Sequence, residues 1–152
     1  MKLYLMQHGK PVSKEEDPER PLSDQGIEDV KNMADFLKKS SVTIVSVLHS
    51  GKKRAEQTAE IVVSRLDPSL VPLQEEGLLP MDDVKRCANR VKEFKGDVLV
   101  VGHLPHLGKL TSLLVTDTES IPVVNFQQGG IVCLSIEDRS WVINWMHLPG
   151  MI

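Results

Sequence analysis

Cysteine is scarce in this 152-residue sequence. Its two copies, Cys87 in an apparent helix and Cys133 in an apparent strand, read as buried free thiols and fit a reducing cytoplasm. Basic excess is missing as well: 18 Lys and Arg stand against 21 Asp and Glu, for a net charge of -3. That balance argues against a dedicated nucleic-acid or membrane-surface binder, whose affinity rests on positive charge. No window comes near the roughly 18 to 20 apolar residues of a membrane span. The first residues run straight into a strand pattern, with no charged region, long apolar run or cleavage site. Repeats, low-complexity tracts and convincing linkers are absent too. These absences predict a soluble cytoplasmic protein, one domain over 1–152, with no nucleic-acid or membrane partner.

What is present is ordinary in bulk and specific in detail. A hydrophobic content of 41% with 26% charged residues suits a globular chain long enough to bury a real core. Lys2 to Met6 reads as a first strand. Ile27, Val30, Met33, Ala34 and Leu37 recur at helical spacing, which predicts a helix over 24–39 with Ser23 as its N-cap. Ile44 to Leu48 is a short β-rich run, and Lys53 to Leu66 a second helix. "VPLQEEGLLP" reads as extended or looped, and Asp82 as the cap of a third helix through Phe94. "DVLVVGH" is the kind of continuous apolar run that lies buried on both faces of a parallel sheet. Pro105 fits the first turn of a fourth helix to Leu114. "VVNF", "GGIVCLSIE" and "WVINWMHL" close the chain as strands of an antiparallel edge meander. Strand–helix alternation followed by terminal strands predicts a three-layer α/β/α domain, its central sheet mainly parallel and its C-terminal strands antiparallel.

Three of these strands end in polar, backbone-permissive sequence: His8-Gly9, Ser50-Gly51 and Gly102-His103. Ligands of open α/β sheets bind at the carboxyl ends of the strands. Were these strands neighbours, His8, His103 and Arg54 would share one crevice. Singly, each residue has a duller role, as a turn histidine or a surface charge; their co-occurrence is what carries weight. Lys52-Lys53-Arg54 by itself is an ordinary solvated helix start. His103 and His106 form an H-x-x-H, a weak metal signal without a glutamate between them or further ligands nearby.

The residues then match a family. Gln7-His8-Gly9 ends the first strand where the family has Arg-His-Gly. "RPLSDQG" (Arg20 to Gly26) follows its Arg-Pro-Leu-Thr/Ser…Gly segment. "HSGKKRAEQTAE" keeps Ser50, Arg54, Ala55, Gln57, Thr58 and Ala59 of a Ser-Pro…Arg-Ala-x-Gln-Thr-Ala motif. "VVGHLPHLGKL" carries its Gly/Ser-His-x-Pro, and "INWMHLP" is similar to its last strand. Four motifs in order make the chain resemble the histidine phosphatase superfamily, most closely its small SixA-type phosphohistidine phosphatases.

That resemblance implies a phosphoglycerate mutase-like fold and a metal-independent phosphatase that needs no cofactor. It makes His8 the nucleophile, with its other ring nitrogen held by a backbone carbonyl. Arg54 clamps the phosphoryl oxygens, and His103 donates a hydrogen bond as charge develops. Gln7, Arg20, Lys10, Ser50 and Leu104 complete the expected phosphate-binding set. Gln7 is the departure, since an amide carries no charge and charge-assisted hydrogen bonds are about twice as strong. Lys10 and Lys53 are the lysines near enough in sequence to compensate, although a solvated role fits Lys53 better. Glu75, Glu76, Asp82 and Asp83 fall where larger relatives place a general acid; short loops and a helix cap explain them equally well.

The short connection from Leu66 to Asp82 leaves an open site, suited to phosphohistidine on a protein rather than a small phosphosugar. A slow phosphohistidine phosphatase is therefore expected. Two alternatives stand beside it: a phosphate- or phosphoprotein-binding module that has lost turnover, and a small-molecule phosphomonoesterase.

Overall fold

The run Val98–Gly102 is buried along its whole length, as a strand covered on both faces must be. The computed structural model describes residues 1–151, and among these the run is the fourth of six strands in one sheet. In chain order the elements are β1 (Lys2–Gln7), α1 (Asp24–Lys39), β2 (Ser46–His49), α2 (Lys53–Leu66), β3 (Leu73–Gln74), α3 (Val84–Val91), β4 (Val98–Gly102), α4 (His106–Thr116), β5 (Ile131–Glu137) and β6 (Ser140–His147). A 3-10 turn at Pro149–Met151 follows.

The sheet order is β3-β2-β4-β1-β5-β6. The first four strands pair in parallel, while β5 runs antiparallel to β1 and to β6. Alternate side chains of β1 and β4 feed two cores, one on each face. Leu3, Leu5, Val98 and Val100 pack with Cys87 and Val91 of α3 and Leu107 and Leu110 of α4. Tyr4, Met6, Leu99 and Val101 pack on the other side with Val30, Met33 and Leu37 of α1 and Ala59 and Val62 of α2. Each valine, leucine or methionine among them, fully withdrawn from water, contributes roughly 1.5–3 kcal/mol. This is the expected α/β/α sandwich. No helix among the described residues is long and apolar enough to cross a membrane.

Two glycines set how closely α1 approaches the end of β1. A Cβ on Gly9 would stand 2.8 Å from Val30 Cγ2, and one on Gly26 would run into the backbone of Lys10. The Ser23 hydroxyl caps α1 by accepting from Gly26 N–H at 3.1 Å and donates to the carbonyl of Lys10 at 2.8 Å.

Boundaries differ from the sequence-based expectation in several places, among them the fourth helix, which Pro105 precedes as N-cap and which runs to Thr116. β1 reaches Gln7, and β2 is shifted to Ser46–His49. Asp83 rather than Asp82 caps α3, through Lys85 N–H at 2.9 Å. That helix ends at Val91 because Lys92, Glu93 and Phe94 turn back on residues three earlier, tightening the helical pattern toward Phe94 into 3-10 geometry. "VVNF" is not a strand. Both edges of β1 are already taken by β4 and β5, and Phe126 serves as a buried anchor in the core instead.

Candidate active site

Because β2, β4 and β1 are adjacent, their carboxyl ends bring Ser50, His103 and His8 together. His8 is buried just past β1, with its backbone N–H donating to the carbonyl of Gly102 at 3.1 Å. Nδ1 of His8 lies 2.7 Å from the carbonyl of Gly9. A carbonyl only accepts, so Nδ1 carries the proton and Nε2 keeps its lone pair. The turn is fixed from below by Thr58 of α2. Its hydroxyl accepts from Gly9 N–H at 3.0 Å and donates to the carbonyl of Arg54 at 2.8 Å.

The rings of His8 and His103 stand 5.0 Å apart. Nε2 of His103 is 2.6 Å from Ser50 Oγ. Burial pushes His8 down to about 4, with Arg54 and Arg20 adding repulsion against the favourable pull of the Gly9 carbonyl. Burial likewise pushes His103 down to about 3, reinforced by His8, Arg54 and Lys52. Both rings are neutral at pH 7, which is the state a histidine nucleophile requires.

Arg54 opens α2 and is pressed on by burial and by Arg20, yet a guanidinium keeps its charge. Its buried Nε has no hydrogen-bond partner. Arg20 adopts a left-handed φ of 50° and donates from Nε to the carbonyl of Val12 at 3.2 Å. Bridge pairing of Pro11 with Leu22 closes the loop that carries it. Gln7 is buried, and its Oε1 also lacks a partner. Turning the amide over would present its NH2 at that point.

The helix starts add donors. Side chains cap α1 and α3, whereas α2 and α4, which follow β2 and β4 directly, have no side-chain cap. Open N–H groups at a helix start attract anions. Above α2 lies a cavity of about 690 Å³ in which Lys14, Arg20, Lys52, Lys53 and Arg54 face only Glu19 and Glu56.

The remaining sequence candidates take up varied positions. Lys10 is exposed, its carbonyl tied to Ser23, and it does not line that cavity. Lys53 is engaged with Glu56 at 3.7 Å. Leu104 is exposed immediately after His103. The four suggested general acids are held in contacts of their own. Glu75 pairs with Arg90, Glu76 pairs with Arg86, Asp82 accepts from Leu79 N–H and Asp83 caps α3. His106 is buried and held neutral by that burial. Among the described residues no three His, Cys, Asp or Glu side chains gather as metal ligands. Two participants are not evident from sequence reasoning, Lys52 and the supporting role of Thr58. For Thr58 a signal exists, as a threonine four residues after Arg54 on one helix face.

Comparison with known proteins agrees with this geometry. The sequence pattern described as the histidine phosphatase superfamily (branch 1) matches residues 3–82. Phosphohistidine phosphatase SixA of Escherichia coli (strain K12) is 31% identical, over 98% of this chain and 94% of that protein. The solved structure of the protein histidine phosphatase SixA complexed with tungstate has a TM-score of 0.88 at 30% identity and covers 99% of both chains. Phosphoglycerate mutase from Bacillus anthracis str. Sterne shares the fold, with a TM-score of 0.75 at 16% identity over 95% of this chain and 91% of its own. With the motif residues, the fold and the relatives in agreement, the chain belongs to branch 1 of the histidine phosphatase superfamily, among its SixA-type phosphatases.

Proposed function

We propose that this single-domain chain removes the phosphoryl group from a phosphohistidine on a cytoplasmic protein, through a phospho-His8 intermediate. The observation that carries the reading is the neutral His8 ring, with Nδ1 tied to Gly9 at 2.7 Å and Nε2 left as the nucleophile. Nε2 attacks phosphorus as the bond from phosphorus to the substrate ring breaks. If the substrate ring carries a proton on its other nitrogen, it departs as neutral imidazole and needs no acid from the enzyme. Water then attacks phospho-His8 and releases phosphate. Arg54, Arg20 and the Gln7 amide hold the phosphoryl oxygens, with Ser50 and the chain at Leu104 beside them, while His103 supports the charge that develops.

Phosphohistidine is favoured over a small phosphomonoester because Glu75, Glu76, Asp82 and Asp83 are all engaged elsewhere. An alkoxide leaving group would need one of them as a proton donor. The uncharged Gln7 points to slow turnover, since loss of one preorganised donor typically costs ~10²–10³ in rate. It also favours a second reading, a phosphoprotein-binding module with turnover lost.

The test follows phosphate release from a phosphohistidine-bearing carrier protein labelled in its phosphate. Release from wild type, an acid-labile label on this protein, loss of both in His8→Ala and faster release in Gln7→Arg are expected. No release and no label from wild type would overturn the phosphatase reading; activity gained with Gln7→Arg would then leave the binding module.

A further inference from the structure

Resting on the phosphatase reading above, we infer that Lys52 supplies the phosphate-binding charge that Gln7 lacks. Three independent observations converge on this residue.

The first is its position. Lys52 is the N-cap of α2, with Lys53 and Arg54 directly behind it, and no side chain caps this helix. Serine, threonine, asparagine and aspartate suit an N-cap, and cations are disfavoured at the positive end of a helix. Three cations there work against the fold of the empty protein. A bound anion reverses that balance.

The second is the turn that delivers it. Gly51 has a φ of +89°, and its N–H donates to His49 Nδ1 at 3.1 Å. Proline, with φ fixed near −65° and no N–H, can do neither. The turn lets Lys52 N–H donate to Ser50 Oγ at 3.3 Å, the same oxygen that lies 2.6 Å from His103 Nε2.

The third is availability. Lys52 lines the cavity with Arg20 and Arg54. Among the described residues it has no ion-pair partner, whereas Lys53 is engaged with Glu56 at 3.7 Å. Its charge is also one of those that oppose protonation of His103, as expected of an ammonium group near that ring.

Inorganic phosphate is the probe, titrated calorimetrically into wild type, Lys52→Ser, Lys52→Arg, Gln7→Arg and the Lys52→Ser/Gln7→Arg double variant. Lys52→Ser is expected to bind about 10-fold more weakly, and Lys52→Arg within about 3-fold of wild type. Gln7→Arg should recover most of the affinity lost in Lys52→Ser, a larger gain than it gives alone. Serine is a good N-cap, so unliganded Lys52→Ser should melt higher than wild type, which separates lost binding from lost folding. Unchanged affinity in Lys52→Ser, or a loss that Gln7→Arg does not recover, overturns the assignment. The titration needs no turnover, so failure of the phosphohistidine assay leaves this result readable. A wild-type chain that takes no phosphate overturns the Lys52 assignment alone, and the phosphohistidine assay decides the phosphatase reading separately.

Discussion

Ser50 Oγ sits 2.6 Å from Nε2 of His103, while Nδ1 of the same ring is buried without a partner. One hydroxyl therefore gives that histidine its side-chain hydrogen bond and fixes the orientation of its ring. Ser50→Ala should lower kcat/KM for phosphohistidine release by about 10-fold, at a cost of about 1 kcal/mol in stability. A stopped assay and a thermal melt on the same preparation check both. Unchanged kcat/KM would mean that packing alone orients the ring.

Thr58 is fully buried, and its one hydroxyl joins Gly9 N–H to the carbonyl of Arg54. Thr58→Val keeps the shape but leaves that N–H unpaired, which costs about 1–3 kcal/mol. For a chain of this size each kcal/mol lowers Tm by roughly 2–4 °C. Phosphate release should fall as well, because the turn presenting His8 loosens. Thr58→Ser should recover both values.

Acid acts on the two site histidines through stability as well as rate. Folding holds His8 near 4 and His103 near 3, against 6.5 for a free histidine. Between those values the unfolded chain binds more protons than the native one. The histidines' contribution is therefore complete above about pH 6.5 and is lost as pH falls to 4 and below. While a histidine titrates in the unfolded chain alone, the slope approaches about 1.4 kcal/mol per pH unit for that residue. Denaturant melts in this window should show stability falling with acid, more steeply than in His8→Ala. Initial rates should give a kcat/KM whose acid limb drops below about pH 5, as His8 takes up a proton.

Gly51 should tolerate no side chain. At φ +89° a Cβ is strained, and it would press on the Gln74 side chain. Gly51→Ala is expected to cost about 1–2 kcal/mol and to weaken phosphate binding by displacing Lys52. Melts and phosphate titration of one sample report the two effects together.

Much of this arrangement is legible in the chain. The apolar runs at Leu3 to Met6 and Val98 to Val101 announce buried strands, and the breaks at Gly9, Gly51 and Gly102 mark where they stop. Strand adjacency is a tertiary fact, and only the β2-β4-β1 order turns three separate endings into one crevice. Lys10 and Lys53 look nearest to the phosphate when sequence distance is the only measure. The left-handed turn at Gly51 decides in favour of Lys52, and no periodicity encodes a backbone hand. "VVNF" shows the opposite failure: its β-branched residues are there, but β4 and β5 already hold both edges of β1.

The open start of α2 carries a kinetic consequence as well. A helix end crowded with cations relaxes when phosphate arrives, whether phosphate comes as substrate or as product. The leaving phosphate therefore departs against the same attraction that drew the phosphoryl group in. Free phosphate and the phosphoryl substrate then compete for one crevice. Added phosphate should therefore raise the melting temperature of the chain while it slows phosphohistidine release.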